Sequence, residues 1–158
     1  KYSTYERMRT VDTLIQRYVL VPMTIKPGYL VELLRKRAGY KIIVFVKQCK
    51  QCHLLNSTLK RLEFKSCMLH SFMKQTRRFA NLSLFRSGKA DILVTTDLAS
   101  RGLDIKAVDL VINYEIPRKL SDYVHRVGRT ARKGMEGEAV TFVTQNEVNL
   151  FLGLEKNL

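Results

Sequence analysis

Short apolar runs rich in valine and isoleucine recur along the chain, at Tyr18 to Val21, Ile42 to Val46, Ile92 to Val94, Leu110 to Ile112 and Ala139 to Val143. These runs do not alternate apolar with polar residues, so they predict strands buried on both faces, as in a parallel sheet. Cys67 to Leu69 predicts a further strand. Between the runs lie segments with helical spacing: Leu30, Leu33 and Leu34; Leu55, Leu59 and Leu62; Phe79, Leu82 and Phe85; Leu120, Tyr123, Val124 and Val127. Strand and helix alternate, which predicts a three-layer α/β domain with a mainly parallel sheet flanked by helices.

Punctuation agrees with that pattern. Gly39 separates a helix from a strand, Gly88 ends the helix through Phe79 and Phe85, and Pro117 follows the strand ending near Asn113. No linker, internal repeat or low-complexity tract divides the sequence, so one domain over residues 1–158 is expected. The chain opens on Lys1 and closes inside an apolar helical pattern that begins at Val148, which reads as a domain excised from a longer chain.

Charge narrows the partner. The 28 Lys and Arg residues against 14 Asp and Glu leave a formal charge of +14, which favours a polyanion. An anionic membrane would call for a basic amphipathic helix or a lipid anchor, and neither motif stands out, so nucleic acid is the expected partner. The longest apolar runs, such as Ile42 to Val46, fall far short of the ~20 residues that cross a bilayer. Three cysteines, an odd number, suggest reduced thiols.

Three segments carry candidate chemistry. The first, His125 to Lys133, gathers four basic residues and a histidine around Gly128. In a helix His125, Arg129 and Arg132 share one face, and converging guanidinium forks suit a phosphate chain. A solvated basic helix end accounts for the same residues equally well. The second, Thr95 to Asp104, directly follows a predicted strand, where parallel α/β folds bind ligands, and offers hydroxyls, carboxylates, an arginine and a glycine. Taken alone it reads as a short helix capped by Thr96 or Asp97. In the third, His70 to Arg78, Gln75 and Arg78 stand three apart at a helix start whose N–H groups could meet a phosphate.

In this order and spacing, the segments resemble the C-terminal helicase domain of the DEAD-box RNA helicases across essentially the whole chain. Thr96 to Asp104 is similar to motif V and His125 to Arg132 to motif VI. Val44-Phe45 is similar to motif IV, Gln75 and Arg78 to the Gln-x-x-Arg motif, Phe85 to Gly88 to motif IVa, and Asp109 to Asn113 to motif Va. The resemblance implies a RecA-like fold in which Arg129 and Arg132 reach the γ-phosphate of an ATP held, with Mg²⁺, mainly by an N-terminal RecA-like domain of the same chain. It implies that Asp104 contacts the ATP ribose and that His125 ties the arginine helix to the opposite half. It implies, too, that Gln75, Arg78, Gly88 and Thr96 line an RNA path and bind the sugar–phosphate backbone.

The sequence has no Gly-x-x-x-x-Gly-Lys-Ser/Thr loop and no Asp-Glu-Ala-Asp, so the domain alone is expected not to hydrolyse ATP. Leu98 and Ala131 depart from the family's frequent Val and Gly. Leu69 to Gln75, His125 to Arg132 and Val143-Thr144-Gln145 are similar to members that act in ribosomal RNA processing, which implies a nuclear, nucleolar setting and pre-ribosomal protein partners. Competing readings are a stand-alone RNA-binding or regulatory module, a two-domain helicase working on DNA, and a thioredoxin-like redox pair at Cys49-Lys50-Gln51-Cys52, whose lysines could lower a thiol pKa. Zinc would need a second ligand pair that is missing, so no metal is expected in this domain. The aromatic residues fall mostly at core-like positions, so base stacking is not expected of them.

Overall fold

A computed structural model describes residues 13–103, 105, 107–131 and 135–158 in full and the backbone of 4–8. Among the described residues seven strands form one sheet: β1 (Thr4–Met8), β2 (Leu14–Leu20), β3 (Ile42–Val46), β4 (Ser66–Leu69), β5 (Ile92–Thr96), β6 (Leu110–Asn113) and β7 (Gly137–Val143), in the order β1-β2-β7-β6-β3-β5-β4. Every pair from β2 to β4 is parallel, and only β1 runs antiparallel, along β2 at the edge.

The central strand explains the unbroken apolar runs. All five residues of β3 are buried, because helices cover both faces. On one face α1 (Lys26–Lys36) and α2 (Cys49–Arg61) set Leu30, Leu34, Cys52, Leu55 and Leu59 against Val44, Val94, Ile112 and Phe142. On the other, α3 (Gln75–Arg86) and α5 (Leu120–Val127) set Leu82, Phe85, Tyr123 and Val127 against Ile43, Phe45, Leu93 and Val111. A one-turn helix, α4 (Asp97–Ser100), follows β5, and α6 (Val148–Glu155) buries Phe151 and Leu154 beside Ile116 and Val143. The three-layer α/β architecture expected from the sequence is the one observed. No described helix is long and apolar enough to cross a membrane.

Three expectations change. The second strand starts four residues earlier than its apolar run and carries Gln16 and Arg17, since it lies next to the sheet's antiparallel edge and only alternate positions are fully covered. Leu62 lies past the end of α2, and both it and Val124 are exposed. Phe79 is 62% exposed, because α3 buries the stripe through Asn81, Leu82 and Phe85 and leaves Phe79 on its flank.

The order of strands positions the site. From β3 the chain moves one way to build β4 and β5, then crosses back over β3 to place β6 and β7. The segments leaving the carboxyl ends of β5 and β6 therefore flank the reversal, which is where open α/β sheets form their ligand crevice.

Candidate functional site

At that reversal the fold is clamped by an ion pair whose guanidinium is buried. Arg126, 1% exposed, donates from Nε to Asp97 Oδ1 at 2.6 Å and from Nη2 to Asp97 Oδ2 at 2.7 Å. Its Nη1 donates to the Glu115 carbonyl at 2.7 Å and to Asn113 Oδ1 at 3.2 Å, and the guanidinium stacks 5.1 Å from the centre of the Phe45 ring. One side chain thus ties α4, after β5, to α5 and to the end of β6. Thr96 occupies the N-cap position of α4, but no side chain caps the helix, because the Asp97 carboxylate is turned to Arg126. Sequence reading missed this role for Arg126. The signal was present: Arg126 lies one helical turn after Tyr123, a residue at a core-like position, and Tyr123 is buried.

Arg129 lies just past that helix. It donates from Nη1 to the Leu103 carbonyl and from Nη2 to the Ser100 carbonyl, each at 2.9 Å, so the loop after β5 holds its guanidinium. Arg101 pairs with Asp122 across the same gap. A cavity of about 260 Å³ opens here, lined by Ser100, Gly102, His125 and Arg129 among others, with His125 exposed at its rim. His125 and Arg129 line the same cavity, though not from a continuous helix. The helix stops at Val127, with Gly128 as C-cap and Ala131 at φ 54°, in the left-handed region. Arg132 and Asp104, expected to meet the γ-phosphate and the ribose, lie outside the described residues.

The donor set suits one end of a polyphosphate. Asp97 and Asp122 are each paired with an arginine, and the Arg129 guanidinium and the exposed His125 ring line the opening beside them.

The expected RNA-path residues divide into two places. Gln75 opens α3 exposed, and Arg78, half-buried, directs Nη1 to Gln75 Oε1 at 3.5 Å. No side chain caps this helix, whose Arg77 and Arg78 N–H groups donate to the Lys74 carbonyl. Asn81 anchors the helix by donating to the Met68 carbonyl at 2.8 Å. Thr96, 5% exposed, ends β5 at the same carboxyl edge, and its hydroxyl has no partner among the described residues. His70, which follows the Leu69–Thr95 register pair beside it, likewise keeps an unpartnered Nδ1. Burial, then His53, Arg77 and Arg78, lowers the His70 pKa below its usual value, so the ring is neutral at pH 7. Gly88, at φ 77°, lies instead beyond the far end of α3, a helix of about 18 Å by its rise.

Of the Cys49–Cys52 pair, Cys49 is partly exposed and Cys52 is buried. Cys52 donates to the Val94 carbonyl at 3.2 Å, and burial pushes its thiol up to about 12; Cys67 is pushed up to about 12 by the same cause. Neighbouring lysines do not offset that burial for Cys52, whose thiol stays protonated at neutral pH. Among the described residues no group of three His, Cys, Asp or Glu is placed to hold a metal ion.

A parallel three-layer α/β domain with arginines brought to its strand reversal by two successive loops is a RecA-like helicase half. Comparison with known proteins agrees. The helicase conserved C-terminal domain family matches residues 25–134. The C-terminal domain of the DEAD-box protein Dbp5 superimposes with a TM-score of 0.85 at 31% identity, covering 94% of this chain and 87% of that one. The Escherichia coli DEAD-box protein SrmB, solved bound to regulator of ribonuclease activity A, gives 0.84 at 30% identity over 96% of this chain and 88% of that one. Among curated proteins, probable ATP-dependent RNA helicase ddx49 of Dictyostelium discoideum is 48% identical over 93% of this chain and 29% of its own length. The ATP-dependent rRNA helicase rrp3 of Sclerotinia sclerotiorum is 42% identical over 96% of this chain and 32% of its own length. The chain belongs to the helicase C-terminal domain family, as a C-terminal domain of the DEAD-box RNA helicases. It spans about a third of the length of the curated relatives it matches.

Proposed function

We propose that this domain is the second RecA-like half of an ATP-dependent RNA helicase, gripping the RNA backbone and supplying arginines to an ATP site completed by an N-terminal half. The observation that carries the reading is Arg129, held by the Ser100 and Leu103 carbonyls beside a cavity at the strand reversal. Two hydrogen bonds fix the guanidinium before any substrate arrives. A pre-positioned cation of this kind stabilises charge that develops on a transferring phosphoryl group without reorganising first. Arg132 is proposed to act beside it, Asp104 to hold the ribose, and His125 to contact the opposing half.

Asp97 and Asp122, the carboxylates lining the cavity, are already paired with arginines, so we assign Mg²⁺ to the opposing half. When bound there, the metal would neutralise charge on the phosphates. Gln75, Arg78 and Thr96 form the proposed grip at the carboxyl edge, with Gly88 continuing the path along α3. Contacts to sugar and phosphate position a strand without reading its sequence, and a strand held in a bent path separates from its complement. Relatives named as rRNA helicases support ribosomal RNA as the substrate class, with a nucleolar setting and pre-ribosomal partners.

RNA-stimulated ATP hydrolysis tests the reading, comparing this domain with the full-length protein. Activity only in the full-length protein is expected. Activity in neither would favour a regulatory RNA-binding module, and activity in the domain alone would remove the two-half site.

A further inference from the structure

Two phenylalanines near the proposed RNA grip are far from buried. Phe72 is 87% exposed in the turn between β4 and α3, where the Met73 N–H bonds the His70 carbonyl. Phe79 is 62% exposed one helical turn after Gln75, on the same face of α3. The two rings therefore bracket Gln75 in sequence, three residues before it and four after. Neither is used by the core. Leu82 and Phe85 bury the inner face of α3, and Asn81 fixes it to β4.

The surroundings point to the occupant. From residue 64 to residue 90 the chain has no aspartate or glutamate, while Lys74, Arg77, Arg78, Arg86 and Lys89 lie on α3 or at its ends. An exposed aromatic pair in an acid-free, cation-rich surface matches single-stranded nucleic acid, whose phosphates meet the cations and whose bases offer flat faces to the rings. A protein partner would be expected to meet an apolar patch with a mixed polar rim instead.

We infer that Phe72 and Phe79 are base-stacking platforms for an unpaired stretch of RNA, flanking the backbone contact at Gln75. The inference rests on the RNA path proposed above and adds to it a contact with bases, which a grip on sugar and phosphate alone does not make. Stacking tolerates any sequence, because every base has a π-face, so it anchors unpaired nucleotides without selecting among them. Paired bases hide those faces, and the platforms therefore favour the strand once it is opened.

The test is single-stranded RNA binding by the full-length protein across a salt series. The probes are a short strand and the same strand with its central bases removed. Phe72→Ala and Phe79→Ala should each weaken binding to the intact strand by about tenfold, the scale of losing one stacking aromatic. They should leave binding to the abasic strand unchanged, and the salt slope should stay constant, since no phosphate contact is lost. Phe79→Tyr should restore affinity and Phe79→Leu should not. Equal affinity in the alanine variants, or full restoration by leucine, would overturn stacking while leaving the backbone grip intact. No binding of the unsubstituted protein to either strand would overturn the RNA path as well.

Discussion

Arg126 and Asp97 form a two-bond ion pair in which the partners are unequally buried: the guanidinium is 1% exposed and the carboxylate 27%. Removing either partner should therefore have unequal effects. Asp97→Ala strands a buried cation and should cost about 3–5 kcal/mol, as broken buried pairs do. Arg126→Met leaves a carboxylate that water can reach and keeps much of the side chain's volume, so it should cost less. Urea denaturation of both variants checks the order, and an equal loss would show that the Glu115 and Asn113 bonds matter more than the charge.

Arg129→Ala separates chemistry from grip. In the full-length protein it should reduce RNA-stimulated ATP turnover by about 10³-fold or more, the scale of losing an arginine finger. RNA affinity should hold, because Gln75, Arg78 and Thr96 sit on other segments. Arg132→Ala should behave alike. Turnover within a few-fold of the unsubstituted protein would remove the finger assignment.

Arg78→Ala should do the converse. RNA affinity should fall, and the slope of log affinity against log salt should shrink by about 0.7, one phosphate contact to a single strand. The loss should be uniform across RNA sequences. A loss that depended on base identity would place Arg78 on a base edge.

How far the sequence disclosed this structure depends on how each residue is covered. Ile42 to Val46 was legible as a strand because helices bury both its faces, which removes any alternation. Leu14 to Ile15 was not, because polar residues interrupt β2: Gln16 is buried as the acceptor for the Tyr123 hydroxyl at 2.6 Å, and Arg17 is paired with Glu138. His125 and Arg129 line one cavity, but through the turn after α5 and not through the helical spacing read from the sequence. That spacing could not show that Arg126, between them, points inward, since a basic residue in a basic run reads as solvated until its acidic partner, 29 positions away, is placed beside it. Phe79 was misplaced for a related reason, because an apolar residue at helical spacing is taken as core until the neighbouring layer is known.

Ala131 shows a smaller departure gaining weight. By sequence, alanine in place of the family's frequent glycine reads as a minor change. At φ 54° its Cβ sits in the left-handed region, which disfavours any side chain by about 1–2 kcal/mol. Ala131→Gly should relieve that strain, offset by greater freedom in the unfolded chain, for a net gain of about 0.5 kcal/mol. Gly137→Ala next door should act oppositely. Its new methyl would land on the Thr130 hydroxyl and on the Ala131 backbone nitrogen, so a loss of about 1–3 kcal/mol is expected. Denaturation midpoints of the two variants check both signs. A loss in Ala131→Gly would mean that the methyl's packing against the core beside Val127 outweighs the strain it carries.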